Sequence, residues 1–166
     1  IPSWQLDLDQ VANWGLCAAE ALSHAHQRGV IHRDIKPSNL IVDQDDQVWL
    51  TDFGLARRMD DVRLSVTGAV LGTPRYMSPE QSSAISAPID ERTDIYSLGA
   101  TLYEIACGRP AVPGDHPVAV ISSIMNDQRV SPRAHRADIS RDLETVLLRC
   151  LEKQPAHRYP NATSLA

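Results

Sequence analysis

The sequence has 166 residues, 43% of them hydrophobic and 22% charged, which are ordinary proportions for a globular domain with its own core and exclude a wholly disordered chain. A formal net charge of −5 argues against a nucleic-acid partner held by phosphate contacts. The three cysteines, Cys17, Cys107 and Cys150, lie far apart with no C-x-x-C pair, so reduced structural thiols in a cytoplasmic setting are expected rather than a disulfide framework.

Asp7 with Gln10 three residues on predicts a capping box. Val11, Trp14, Ala18, Leu22 and Ala25 then recur at helical spacing until Gly29 ends the run. Next comes the loop Ile31 to Asn39, I-H-R-D-I-K-P-S-N, which holds an acid, a lysine and a side-chain amide with a stiffening proline. Leu40-Ile41-Val42 and Val48-Trp49-Leu50 are short apolar runs separated by D-Q-D-D-Q, and they predict a β-hairpin. Positions 55–76 show no sustained period; a long irregular stretch inside a compact domain is usually functional. Helices are predicted over roughly Thr93 to Cys107, Pro117 to Met125 and Ser140 to Leu151, with Gly108, Pro110, Pro113 and Gly114 as breakers. The longest apolar stretch, Ile95 to Cys107, is too short and too polar to span a bilayer, so no membrane contact is expected within these residues. No secretory signal pattern opens the chain. It starts at Ile1-Pro2 and stops at Leu165-Ala166, and it is expected to be a segment of something longer. The coarse fold class is mostly α with one small β-hairpin.

The hairpin assembles a site. Pairing Val42 with Val48 sets the partner of Asn39 near position 51, beside Asp52, so the amide and the carboxylate share one open end. Both are hard oxygen donors of the kind magnesium prefers. Asp34 and Lys36 precede Asn39 on the same loop, and Pro37 pushes Lys36 toward extended backbone. Two alternatives are rejected. A calcium loop starting at Asp43 needs Gly and Glu where Val48 and Gly54 stand. His24, His26, His116, His135 and His157 form no metal-ligand pattern with cysteine and read as surface or core residues.

The motifs resemble the eukaryotic-type (Hanks-type) serine/threonine protein kinases. His32-Arg33-Asp34-Ile35-Lys36-Pro37-Ser38-Asn39 fits the catalytic loop H-R-D-L-x-x-x-N, Asp52-Phe53-Gly54 fits D-F-G, and Ser78-Pro79-Glu80 stands where A-P-E is expected. The run V-T-G-A-V-L-G-T-P-R-Y-M-S-P-E-Q is similar to the bacterial branch. The resemblance covers the C-terminal, larger lobe of the kinase α+β fold over residues 1–166, without the N-terminal lobe.

By resemblance, Asp34 orients the substrate hydroxyl and accepts its proton, and Lys36 neutralises charge on the transferred phosphoryl group. Asn39 and Asp52 hold Mg²⁺ against the phosphates of ATP, and Ile41 lies under the adenine as an apolar floor. Lys36 and Thr73 imply serine/threonine specificity. Arg33 is expected to bind a phosphate on Thr67, or failing that Ser65, with help from Arg57 and Arg58. Glu80 and Arg158 are expected to pair, and Asp94 to accept backbone N–H groups of the catalytic loop. The chain has no G-x-G-x-x-G and only two lysines, Lys36 and Lys153, so the residues that clamp ATP are expected in the missing N-terminal lobe and the isolated segment is expected to be inactive. Protein substrates are the implied partners. The implied location is cytoplasmic, including the cytoplasmic part of a membrane-anchored parent. A kinase-like scaffold that binds partners without phosphotransfer is the alternative.

Overall fold

The computed structural model describes residues 6–53, 74–82 and 87–166. The expectations placed on Gly54, Arg57, Arg58, Ser65, Thr67 and Thr73 fall outside the described residues.

Helix α1 spans Leu8–His26. Asp7 caps it, its carboxylate accepting from Asp9 N at 3.0 Å, which satisfies one of the free donors of the first turn. The capping box does not close. Gln10 turns away, and its Nε2 donates to Asp46 Oδ1 at 2.9 Å in the hairpin turn, so a tertiary partner wins over the local one. Val11, Gly15, Ala18, Ala19 and Leu22 form its buried stripe. Gly15 lets it approach closely, since an added Cβ would come within 2.9 Å of the Leu102 side chain.

That partner belongs to helix α2, Arg92–Cys107, buried continuously from Thr93 to Tyr103. A helix buried on all sides must satisfy its own polar side chains. Ser97 Oγ donates to Tyr76 O at 2.7 Å and Thr101 Oγ1 to Ser97 O at 2.8 Å. Gly108, at φ 66°, ends the helix in the left-handed conformation that favours glycine. Helix α3 is Pro117–Met125, helix α4 Pro132–His135, helix α5 Arg141–Cys150 and helix α6 Ala162–Leu165. Ser140 caps α5 and Asn161 caps α6 through their side-chain oxygens. Helices α1 and α5 pack against α2, and at Gly99 an added Cβ would collide with the Cβ of Cys150.

Strands β1, Leu40–Val42, and β2, Val48–Leu50, pair antiparallel with Leu40 opposite Leu50, Ile41 opposite Trp49 and Val42 opposite Val48. This is the predicted register. Leu40, Val48 and Leu50 pack on the core, while Ile41 and Trp49 face outward, 51% and 60% exposed. Among the described residues no helix is long and apolar enough to cross a membrane.

Candidate active site

The loop between α1 and β1 is held from below by one buried carboxylate. Asp94, in the first turn of α2 and fully buried, accepts from His32 N and Arg33 N, both at 2.8 Å. A third contact joins its Oδ2 to His26 Nε2 at 2.8 Å. Charge-assisted bonds of this kind are the stronger class. They matter here because Arg33 has φ 66°, a left-handed conformation that is costly for a residue with a Cβ.

His32 ties the same loop to the hairpin. Asp34 N donates to His32 Nδ1 at 3.3 Å, which leaves the ring proton on Nε2, and that nitrogen donates to Thr51 O at 2.9 Å. The His32 ring also lies 4.6 Å from that of Phe53. Above this base, Lys36 Nζ donates to Asp34 Oδ2 at 2.7 Å, with side-chain exposures of 33% and 44%. Lys36 is extended, at φ −160° and ψ 164°, so side chains two residues apart share a side. An ion pair this exposed contributes little stability; its value lies in presenting both charges to solvent together.

Asn39 closes the loop. It sits at the end of a 3-10 turn, Pro37–Asn39, and is buried. Its Nδ2 donates to Asp34 O at 2.8 Å and lies 3.5 Å from Asp34 Oδ2. The amide oxygen is thereby turned to the other side, where Ser38 Oγ is its weak donor at 3.3 Å. Across the hairpin, Thr51 N donates to Asn39 O at 2.9 Å, which brings Asp52 to the same end. Asp52 is exposed, at φ 63°, with no hydrogen-bond donor among the described residues. One amide oxygen and one carboxylate fit a magnesium ion whose other ligands are phosphate and water. They do not make an all-protein cage: among the described residues no group of three or more His, Cys, Asp or Glu gathers.

Glu80 and Arg158 meet behind this loop with both side chains inaccessible. The carboxylate receives Nη1 at 2.7 Å and Nη2 at 2.8 Å. The remaining guanidinium protons go to Glu152 O, Arg92 O and Lys153 O, so all five donors are satisfied. Thr93 Oγ1 adds a bond to Glu80 at 2.8 Å, and Arg158 lies 5.0 Å from the Tyr96 ring centroid. Burial pushes the Glu80 carboxyl up, but the Arg158 hydrogen bonds and charge outweigh it and hold the pKa below the usual carboxylate value.

A family model described as "Protein kinase domain" matches residues 3–165. The chain belongs to the protein kinase domain family. Its curated relatives include a probable serine/threonine-protein kinase of Clostridium acetobutylicum, 39% identical over 97% of this chain. Serine/threonine-protein kinase PknB of Mycolicibacterium smegmatis is 43% identical over 89% of this chain, and PknB of Mycobacterium tuberculosis 42% over 89%. The chain spans 24% of the length of each of these relatives. Among solved structures, Rad53 1-466 in complex with AMP-PNP superposes with a TM-score of 0.76 over 96% of this chain and 39% of that one. At 23% identity it shows the kinase fold alone.

Within this kinase fold the structure brings Asp34, Lys36 and Asn39 together and sets Asp52 at the same end of the hairpin. Ile41 is on the outer face, not in the core. The guanidinium of Arg33 has no acceptor among the described residues. Two polar contacts about the loop escaped the sequence reading: that of His26 with Asp94, which spans 68 positions, and that of Gln81 with Arg33 over 48. No spacing pattern encodes either.

Proposed function

We propose that these residues form the catalytic lobe of a serine/threonine protein kinase that transfers the γ-phosphate of ATP to serine or threonine hydroxyls of protein substrates. The observation that carries this reading is the Asp34–Lys36 pair, solvent-accessible, charged and locked to Asn39, at the end of the hairpin that bears Asp52. Relatives named serine/threonine-protein kinases, matching over most of this chain, support it.

In this reading Asp34 orients the incoming hydroxyl and takes its proton as the oxygen–phosphorus bond forms and the bond to the departing ADP breaks. Such a positioned base contributes typically ~10²–10⁴-fold. Lys36 meets the negative charge on the transferred phosphoryl oxygens. Asn39 Oδ1 and Asp52 would hold Mg²⁺, which when bound neutralises phosphate charge. Ile41 supplies an apolar surface for the adenine. By resemblance, Thr73 would act with Asp34 and Lys36 toward the substrate hydroxyl. A phosphate on Thr67, or on Ser65, would pair with Arg33. The grip on the ATP phosphates comes from an N-terminal lobe outside these residues. The cytoplasm, where ATP is available and thiols stay reduced, suits such an enzyme.

Phosphotransfer by the full-length protein, compared with its Asp34→Ala variant, tests the reading. Loss of transfer with retained folding is expected; equal rates in the two proteins would overturn it.

A further inference from the structure

The peptide joining Arg33 to Asp34 is the strained piece of the loop, and it is held at both ends. The peptide before it is fixed by Asp94 Oδ1, which accepts from Arg33 N at 2.8 Å; its own N–H, that of Asp34, donates to His32 Nδ1 at 3.3 Å. Its carbonyl is fixed by Gln81, whose Nε2 donates to Arg33 O at 2.9 Å. The other end of the Gln81 amide is spoken for as well: Oε1 accepts from Ser78 N and Ser78 Oγ, each at 3.1 Å. Turning the amide over would point its NH₂ at the Ser78 N–H, donor against donor, so the donor end is forced toward Arg33. Ser78 Oγ lies 3.3 Å from Thr93 Oγ1, and Thr93 bonds Glu80. Gln81 is therefore mounted next to the buried Glu80–Arg158 pair.

Resting on the proposed role of Asp34 as base, we infer that Gln81 is a positioning residue, which grips the Arg33 carbonyl and so fixes the plane of the peptide that carries Asp34. Arg33 at φ 66° does not hold that geometry by local preference. Released at its carbonyl, the peptide can rotate toward an unstrained conformation and carry the Asp34 carboxylate with it. Displacements near 1 Å are enough to cost up to about a hundredfold in rate.

The test uses the full-length protein with two substitutions. Gln81→Glu keeps the acceptor oxygen for Ser78 and replaces the donor with an oxygen facing the Arg33 carbonyl; Gln81→Ala removes both ends, and decides the matter if the first variant does not fold. Measured together are kcat, KM for ATP, the melting temperature, and amide hydrogen exchange of peptides covering 31–36 and 93–103. The expected result is a kcat lower by about tenfold to a hundredfold, KM for ATP within about twofold, and faster exchange confined to the 31–36 peptide. Parental kcat in the folded variants would overturn the inference, and so would a loss of kcat that comes with equal loosening of the 93–103 peptide. An Asp34→Ala control separates the two levels. Activity surviving in that control defeats the reading of Asp34 itself, whereas a dead control beside fully active Gln81 variants defeats only the role of Gln81.

Discussion

Replacing Arg158 by alanine probes the buried pair that anchors Glu80. The substitution strips Glu80 of both guanidinium bonds and leaves it one side-chain donor, Thr93 Oγ1. It also frees the carbonyls of Glu152, Arg92 and Lys153 and removes the cation above Tyr96. Removing one partner of a buried pair costs about 3–5 kcal/mol, because the other charge stays behind without compensation. At about 2–4 °C per kcal/mol for a domain of this size, the melting temperature should fall by roughly 6–20 °C. The pH dependence gives an independent check. In the parent, the depressed pKa of Glu80 means that its contribution is present above the ordinary carboxylate pKa and lost as pH falls through the lower folded value. In the variant the guanidinium is gone, and burial, opposed now only by the backbone and Thr93 hydrogen bonds, favours the protonated acid. The stability gap between parent and variant should therefore be widest near neutrality and narrow below about pH 4. Thermal melts of the full-length proteins followed by circular dichroism across that range would measure it. A variant melting within about 2 °C of the parent at pH 7, less than 1 kcal/mol, would refute the reasoning.

Gly99→Ala should destabilise by about 1–3 kcal/mol through overpacking against Cys150, and adding Cys150→Gly should restore part of the loss in a denaturant titration. Asp94→Asn keeps one acceptor where the carboxylate serves two backbone N–H groups and His26; a cost of about 1–3 kcal/mol is expected, with a lower kcat in the phosphotransfer assay. Ile41→Ala removes a half-exposed side chain, so it should raise KM for ATP several-fold while changing stability by no more than about 0.5 kcal/mol. The thiols of Cys107 and Cys150, which burial pushes up to about 11 and about 12, should resist alkylation at pH 8 until the protein unfolds.

The parts of the fold written as local pattern were legible. The apolar stripe of α1, the continuous burial of α2 and the Leu40–Leu50 register follow from periodicity and turn residues, and the register alone brought Asn39 beside position 51. A short element was not: α4 contains only four residues, too few for a period to show. Long-range polar contacts were legible only where a motif carried them. Glu80 and Arg158 are 78 positions apart and were paired by resemblance. Gln81 closes a quoted run and His26 lies outside the motifs, but neither carried a role by resemblance, and their bonds exist only once segments 68 and 48 positions apart have come together. Gln10 shows the opposite failure, a local rule overruled by a distant partner.

Asp94 reaches the loop across 61 and 62 positions, and this sets a timing for competence. The left-handed turn at Arg33 has nothing nearby in sequence to stabilise it, so it waits until the central helix has docked. A chain with α1 formed and α2 undocked lacks the clasp that shapes the loop. Under the proposed function, the loop shape that phosphate transfer needs is thus a product of long-range packing rather than of the loop's own sequence.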